Sequence, residues 1–337
     1  MKELPIGISN FELLIQRQNV YVDKTPLIFK MVDEGMFYFL SRPRRFGKSL
    51  LLSTLECLFT GRRELFEGLW IAQADWDWTV HPIVKFDLGG ISHDTPEELK
   101  KALLRELHRM GKQAGLSLPE ELLRNAFSEL IIGLAQKHGQ RVVVLIDEYD
   151  QPLISHLGKG KQELEVARQN REVLRDFFGV LKSGHVNDVL RFVFITGISK
   201  FTQVSIFSEL NNLDDLSMQD AYTTLLGYTE EELIHFFAEH VSHQAQRKGI
   251  PEEEFVARIR DWYNGYRFSE NAEPVYNPFS VLKVLKEGKF GNYWFETATP
   301  AFLVNLIKER QYPIPKMEGL RVTPAQFTTY DLDSLTL

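Results

Sequence analysis

The chain has 337 residues, 44% of them hydrophobic and 25% charged, which is typical of a globular protein and excludes a disordered or fibrous one. Its 39 basic and 46 acidic residues give a net charge of −7, which excludes a wholly basic surface of the kind that coats nucleic acid. One cysteine, no apolar run of the roughly 20 residues that span a membrane and no apolar secretion segment at the start predict a cytoplasmic protein with no membrane partner.

Short apolar runs alternate with longer amphipathic stretches up to about residue 225. This alternation predicts an α/β fold with a parallel sheet. The runs that we predict as strands are Met36–Leu40, Ile83–Asp87, Arg141–Ile146 and Arg191–Thr196. The third is apolar without interruption, as expected for a central strand that is buried on both faces.

Helix boundaries are readable along the chain. Thr95 and Thr229 are predicted N-caps, each followed three residues later by a glutamate. Beyond residue 226 the pattern becomes mostly helical, with one helix ending at Asn264-Gly265 and the next beginning at Asn277-Pro278. A chain of this length exceeds the ~250–300 residues of a single core. We therefore predict an α/β domain over residues 1–225 and a helical domain over residues 226–337.

A phosphate loop is predicted directly after the first strand, where the chain runs Ser41-Arg42-Pro43-Arg44-Arg45-Phe46-Gly47-Lys48-Ser49 and then enters an apolar helix. In such a loop the lysine reaches the β- and γ-phosphates and the serine hydroxyl reaches Mg²⁺. The glycine allows close approach of the backbone. The residues that we expect to contact the nucleotide are Arg44, Arg45, Phe46, Gly47, Lys48, Ser49 and Leu50.

The loop departs from the usual pattern at its first position, because Arg42 stands where GxxxxGK[ST] has glycine. Pro43 favours an extended backbone at Arg42, so the chain must enter the loop without the usual glycine turn. The sequence also predicts that Arg42, Arg44 and Arg45 add positive charge beside the phosphates.

The third predicted strand ends in two carboxylates, Asp147 and Glu148. Ligands of open α/β sheets bind at the carboxyl ends of the strands. We expect Asp147 to hold Mg²⁺ and Glu148 to polarise the attacking water, because hydrolysis needs both metal neutralisation and an oriented nucleophile. The alternative for the pair read alone is a strand capped by acidic turn residues.

The fourth predicted strand supplies a candidate sensor. If it lies between the phosphate-loop strand and the acidic strand, as in additional-strand ATPases, Thr196 can direct its hydroxyl at the γ-phosphate or the water. Lys200 follows four residues later and can add a cation there. The alternative, a loop threonine with a surface lysine, is equally compatible with the sequence.

Several blocks together resemble the bacterial AAA-ATPase-like family, which is related to the STAND signalling and defence ATPases, and the resemblance covers essentially the whole chain. It implies a P-loop core followed by a helical, winged-helix-like lid. It also assigns nucleotide binding to Lys48 and Ser49, and metal binding and hydrolysis to Asp147 and Glu148. The family's loop also lacks the first glycine. The blocks are Leu4–Gly7, Tyr21–Thr25, Phe39–Ser49, Leu145–Asp150, Thr196–Phe201 and Ser205–Ser208.

Members of this family usually continue, after a segment like Tyr330–Leu335, into a PD-(D/E)XK nuclease-like domain. This sequence ends at Leu337, so we expect a chain that is shortened before that domain or has lost it, and we assign it no nuclease activity. Asp87 with Glu98-Leu99-Lys100 superficially matches the nuclease pattern, but Glu98 is explained by helix capping.

Three further groups have less specific interpretations. Trp262–Tyr266 and Tyr276–Ser280 predict core packing around a turn, or a lid that closes on the nucleotide. His235, His240 and His243 lack the companion ligands of a zinc site. A basic stripe at helical spacing predicts a solvated face, or contact with a partner such as nucleic acid or the nuclease-like domain; it consists of Arg168, Arg171 and Arg175.

Taken together, the sequence predicts a module that binds ATP and Mg²⁺ and hydrolyses ATP slowly as a conformational switch for a C-terminal effector or partner. Two alternatives stay open: a nucleotide-binding regulatory or scaffold module without turnover, and an ATPase that acts on nucleic acid. Assembly into a homo-oligomer is also left open.

Overall fold

A computed structural model describes residues 1–120, 122–200, 206–207, 210, 212–293, 304 and 308. The chain divides into two compact units: Met1–Val80 with Asp215–Ala298, and His81–Asp214 with Thr299–Leu337. The sequence-based boundary near residue 226 stays a prediction. Of the family blocks, Phe201, Ser205, Ser208 and Tyr330–Leu335 lie outside the described residues.

The described elements alternate between helices and strands up to residue 215 and are helical thereafter. The strands are β1 (Phe37–Ser41), β2 (Ile83–Asp87), β3 (Val142–Asp147), β4 (Leu190–Gly197) and β5 (Asp214–Asp215). The helices are α1 (Phe11–Gln16), α2 (Thr25–Glu34), α3 (Lys48–Phe59), α4 (Pro96–Gln113), α5 (Leu123–His138), α6 (Gln151–Ile154), α7 (Lys161–Gly179), α8 (Gly184–Asn187), α9 (Glu230–Phe236), α10 (Ala238–Lys248), α11 (Glu252–Tyr263) and α12 (Pro278–Glu287). Short 3-10 turns lie at Arg63–Phe66, Trp70–Gln73, Leu88–Gly90, Val180–Lys182, Leu216–Met218 and Asp220–Tyr222.

The strands form a five-stranded sheet in the order β2-β3-β4-β1-β5. Strand β4 therefore lies between β1 and β3, which is the order that the sequence predicted for an additional-strand sheet. All four strands predicted from the sequence are confirmed, with ends that differ by at most one residue. The winged-helix character of the C-terminal region stays a prediction.

The unit that contains β2, β3 and β4 is built around a parallel three-strand core. Strand β3 pairs in parallel with β2 on one side and with β4 on the other, and all of its residues are buried. Its apolar run is therefore covered on both faces, as the sequence predicted. On one side of this core the ring of Phe86 packs edge to face against the rings of Phe127 and Phe177, and those two rings stack on each other.

The other unit contains β1, α3 and the C-terminal helices. Helix α9 begins with a capping box in which Thr229 and Glu232 each bond the other's backbone, and Asn277 caps α12. Both starts were predicted from the sequence. The helices pack around an apolar cluster that includes Phe237, Phe255 and Ile259. Among the helices in the described ranges, none combines the length and apolar character that crossing a membrane requires.

Candidate functional site

The predicted phosphate loop joins the end of β1 to the first residue of α3. Gly47 is the N-cap of α3 and has a φ of +96°, in the left-handed region that side chains disfavour. Arg45, two residues earlier, is also left-handed, with a φ of +69°. The loop therefore turns sharply at two positions and delivers the chain into the first turn of a 12-residue helix. The amino terminus of such a helix attracts anions through its backbone N–H groups and dipole.

Lys48 folds back over this loop. Its side chain is buried, and its Nζ donates to the carbonyl oxygens of Arg42 at 2.9 Å and Pro43 at 3.1 Å. An ammonium group that is withdrawn from water needs such acceptors. The lysine is thus held at the mouth of the turn, where the sequence places its contact with phosphate.

Arg42 does not face the loop mouth as a surface charge. It is 1% exposed, and its guanidinium donates to the carbonyl oxygens of Ser217 at 2.9 Å and Tyr222 at 3.2 Å. The same group lies 3.8 Å from the centre of the Phe268 ring. Burial lowers the pKa of Arg42 to about 10, partly opposed by the nearby Asp215. The guanidinium of Arg42 is therefore engaged by carbonyls and an aromatic ring inside the unit, and its contribution of charge beside the phosphates stays a prediction.

The remaining loop residues differ in exposure. The side chain of Phe46 is buried, with its ring edge to face with those of Tyr266 at 4.7 Å and Phe268 at 5.5 Å. Arg45 is exposed and its guanidinium stacks over Phe279 at 4.5 Å. Ser49 is exposed, whereas Arg44 and Leu50 are half-buried. Of the expected contacts, Phe46 can therefore contribute its backbone but not its ring.

The blocks Trp262–Tyr266 and Tyr276–Ser280 contact this loop through Tyr266, which packs on Phe46, and Phe279, which lies under Arg45. Tyr266 and Val275 form an antiparallel bridge, as do Tyr228 and Tyr276. Tyr263 and Tyr276 are buried, in agreement with the core-packing interpretation. The lid interpretation stays a prediction.

The acidic strand end lies in the other unit, at the carboxyl edge of β3. Asp147 is 5% exposed and is paired in register with Asp87 of β2. Its Oδ1 accepts a hydrogen bond from the backbone N–H of Glu148 at 2.9 Å, which orients the carboxylate. Glu148 has a φ of +51°, a left-handed conformation that is uncommon for residues other than glycine.

The Glu148 side chain returns over the 3-10 turn that follows β2. A Cβ atom placed on Gly89 would collide with Oε2 of Glu148. The amide of Gly89 in turn donates to Oδ1 of Asp87 at 3.0 Å. Sequence reasoning did not single out Gly89, because a lone glycine after a strand carries no signal for a carboxylate that is distant in sequence.

Thr196 and Lys200 lie at the end of β4 and just beyond it. Ile195 pairs with Ile146 in the sheet, so Thr196 is level with Asp147. Thr196 is fully buried and its carbonyl accepts from the backbone N–H of Tyr149 at 3.1 Å. Lys200 is half-buried. The structure thus brings Asp147, Glu148 and Thr196 to the same end of neighbouring strands, as predicted, and the roles of these residues stay predictions.

Two further groups from the sequence are the candidate metal ligands and the basic stripe on α7. Within the described ranges no group of three or more histidine, cysteine or acidic side chains is arranged to hold a metal ion. The basic stripe on α7 is accompanied by acid: Arg168 pairs with Glu165, while Arg171 and Arg175 both pair with Glu172. Of the three arginines only Arg175 is exposed, since the side chain of Arg171 is 11% exposed and that of Arg168 is 33% exposed, so the solvated-face interpretation stays a prediction.

A strand, a tight left-handed turn, a buried lysine at the head of a helix and an acidic end on a parallel strand define the class of P-loop nucleotide-binding proteins. The comparison with protein families gives the same class. The model of a family described as predicted AAA-ATPases matches residues 5–207, and the chain belongs to this family. Membership implies nucleotide binding.

Two individual proteins are similar to the chain. A curated protein of Azotobacter chroococcum mcd 1, described as an uncharacterized protein in the vnfD 5' region, is 39% identical over 338 residues. The match covers 99% of this chain but only 62% of that relative, so the chain spans less than two thirds of its length. A solved Walker-type ATPase of Pyrococcus abyssi shows 16% identity and a TM-score of 0.39, over 88% of this chain and 73% of the other.

Proposed function

We propose that the chain binds ATP with Mg²⁺, hydrolyses the nucleotide slowly, and uses this cycle as a conformational switch that controls a C-terminal effector or partner. The proposal combines the family with the local geometry of the loop and of the acidic strand end. The observation that carries it is Lys48, whose buried ammonium is held on the loop carbonyls at the head of α3.

The phosphate loop binds the anionic part of the nucleotide. Lys48 interacts with the β- and γ-phosphates, and the N-terminal turn of α3 adds backbone N–H groups. Arg44 and Arg45 extend from the turn as cations, while Phe46, Gly47 and Leu50 contribute backbone. Phe46 must act in this way because its ring is buried.

The acidic strand end provides the groups for hydrolysis. Asp147 offers a carboxylate and Ser49, from the phosphate loop, offers a hydroxyl; both are hard oxygen ligands of the kind that suits Mg²⁺. When bound, Mg²⁺ neutralises charge on the phosphates. Glu148 orients the attacking water, and Thr196 with Lys200 responds to the γ-phosphate.

The switch is supported by what the loop contacts within its own unit. Arg42 reaches the carbonyls of Ser217 and Tyr222, and Phe46 packs on Tyr266 and Phe268. These partners belong to the segment that leads into the C-terminal helices and to the turn between them. A loop that shifts around a phosphate must therefore move or release side chains of that region, because packed groups switch between discrete arrangements.

Calorimetric titration with ATP, ADP and GTP in the presence of Mg²⁺ tests the binding. We expect micromolar ATP binding by the wild type and its loss in Lys48→Ala. Lys30→Ala is the control, since Lys30 lies on α2 with an exposed side chain and pairs only loosely with Glu34 at 3.9 Å. Unchanged ATP binding and turnover in Lys48→Ala would contradict the proposal.

A regulatory module without turnover is the second candidate, and the buried Arg42 in place of the loop's first glycine favours it. Single-turnover assays on Glu148→Gln separate the two candidates. The enzyme predicts that this variant binds ATP and loses hydrolysis. The regulatory module predicts that the wild type and the variant both bind ATP and that neither hydrolyses it.

A further inference from the structure

We propose that Asp150 is a positioning residue that fixes the segment after β4, and with it Thr196 and Lys200, in the place from which they respond to the γ-phosphate. This inference rests on the proposed function. It assigns a role to Asp150, the last residue of the Leu145–Asp150 block, which the sequence analysis left without one.

Asp150 is fully buried, and its carboxylate is engaged by the segment beyond β4. Its Oδ2 accepts from the backbone N–H groups of Ile198 at 3.0 Å and Ser199 at 2.8 Å, and from the Ser199 hydroxyl at 2.7 Å. A buried carboxylate is costly unless donors of this kind surround it. Hydrogen bonds to an ionised acceptor are about twice as strong as neutral ones. The carboxylate therefore holds this turn with more force than a neutral side chain would.

Tyr149 reinforces the same connection from the neighbouring position. Its hydroxyl donates to the carbonyl of Ser199 at 2.9 Å, and its backbone N–H donates to the carbonyl of Thr196 at 3.1 Å. Gly197 leaves room for this arrangement, since a Cβ atom there would come within 2.5 Å of the Tyr149 ring and 2.6 Å of the Asp150 carboxylate. Residues 149 and 150 thus hold the backbone from 196 to 199.

Both ends of the connection carry candidate functional groups. Asp150 lies two residues after Glu148, and the segment that it holds has Thr196 before it and Lys200 after it. Without the carboxylate, the N–H groups of Ile198 and Ser199 would lose their acceptor and the segment would relax. A shift of about 1 Å in a positioned group can cost on the order of 10²-fold in rate. Binding of the rest of the nucleotide depends on the phosphate loop and is unaffected.

The test compares kcat with the dissociation constants of ATP and ADP in the full chain. We expect Asp150→Ala to lower kcat on the order of 10²-fold while the ADP dissociation constant stays within about twofold. Asp150→Asn keeps an accepting oxygen but loses the charge, so its kcat should lie between those of the wild type and the alanine variant. Tyr149→Phe and Ser199→Ala each remove one bond and should lower kcat about fivefold.

His81→Ala is the matched control for a general loss of stability. His81 is buried in the same unit and its Nδ1 contacts the carbonyl of Arg141, just before the amino end of β3. We expect this variant to lose thermal stability and keep its kcat per nucleotide-binding site. Asp150→Asn and Ser199→Ala are the variants to use if Asp150→Ala fails to fold.

The inference and the proposed function fail in different ways. If the wild type hydrolyses ATP and Glu148→Gln does not, but Asp150→Asn, Ser199→Ala and Tyr149→Phe all match the wild type, the positioning role is wrong and the ATPase stands. If the wild type shows no turnover, the ratio of ADP to ATP dissociation constants replaces kcat. A ratio that falls in Asp150→Asn then supports the role, and an unchanged or absent preference for ATP overturns it.

Discussion

The carboxylate of Glu148 lies directly against the backbone of Gly89, so that a Cβ atom at position 89 would meet Oε2. Gly89 follows β2 and Glu148 follows β3, and 58 residues of the sequence lie between them. Gly89 is not in the left-handed region, so alanine suits its backbone. The methyl group of Gly89→Ala would be accommodated by displacing the flexible end of Glu148. We therefore expect little loss of stability and a fall in ATP turnover on the order of 10²-fold, measured as kcat.

Gly90 provides the matched control for this prediction. It is the next residue of the same 3-10 turn, its φ is also outside the left-handed region, and a Cβ atom there meets nothing within 4 Å. Gly90→Ala should turn over like the wild type. Equal activity of the two variants would show that the position of the Glu148 carboxylate does not matter for hydrolysis.

Replacing Arg42 by glycine restores the first glycine of the loop motif, but we expect it to damage the protein. The substitution removes the donors for the carbonyls of Ser217 and Tyr222 and leaves a cavity beside Phe268. A buried carbonyl that loses its donor costs about 1–3 kcal/mol, so the two carbonyls together cost about 2–6 kcal/mol. Chemical denaturation of Arg42→Gly should show a loss of this size, and nucleotide affinity should fall rather than rise.

Arg62→Gly is the comparison for Arg42→Gly. Arg62 makes two close contacts with carboxylates, those of Glu12 and Glu64, and its side chain is 40% exposed. Solvent-exposed ion pairs contribute little to stability, so the fall in the free energy of unfolding should be much smaller than for Arg42→Gly. Similar losses for the two variants would mean that burial of Arg42 is not what makes it important.

Much of the fold could be predicted from the sequence because its signals are local. Each of the following signals depends only on residues close to it in the sequence, and each was confirmed: the apolar run in β3, the N-cap threonines and Asn277-Pro278. The sheet order needed one additional assumption, that β4 is inserted beside β1. The observed order agrees with the candidate groups at the carboxyl ends of the strands, which are the phosphate loop after β1, Thr196 in β4 and the carboxylates that end β3.

Residue type and local order are enough to propose roles for Lys48, Asp147 and Glu148, and those roles stay predictions. The burial of Arg42 could not be predicted from the sequence, because the carbonyl acceptors come from residues 217 and 222, which are distant along the chain. Gly89 and Asp150 were not identified, because their partners are brought to them by strand register and carry no short-range pattern.

A dependence on pH is expected from Glu163 at the start of α7. The hydrogen bond from Nδ1 of the buried His156, at 2.6 Å, holds the pKa of Glu163 below its ordinary value. Because this pKa is lower in the folded chain than in the unfolded one, the pair stabilises the fold above the unfolded value of about 4.3. That stabilisation is lost as pH falls through the lower, folded value.

Thermal unfolding from pH 7 down to pH 3 measures this effect. The wild type should lose stability more steeply than Glu163→Gln below about pH 4.3, because the glutamine variant has no carboxylate to protonate. Parallel curves for the two proteins would show that the bond to His156 adds no pH-dependent stability.

Lys24, in the Tyr21–Thr25 block near the amino terminus, pairs with a carboxylate of helix α9. Burial lowers the pKa of Lys24, and its Nζ donates to both carboxylate oxygens of Glu232, at 2.5 and 2.6 Å, and to the carbonyl of Thr224 at 2.8 Å. Glu232 also completes the capping box of α9 with Thr229. Glu232→Gln preserves capping, since glutamine serves at that position, and removes only the charge that faces the lysine.

We expect Glu232→Gln to lower the free energy of unfolding by about 1.5–3 kcal/mol, the contribution of a hydrogen bond to a charged group. Glu231→Gln makes the same change of charge one residue earlier on the same helix, at an exposed position, and should have almost no effect. Urea denaturation of the two variants separates a specific partner of Lys24 from a general effect of helix charge. If both variants lose the same amount, the acidic first turn of α9 stabilises the helix through its dipole rather than through Lys24.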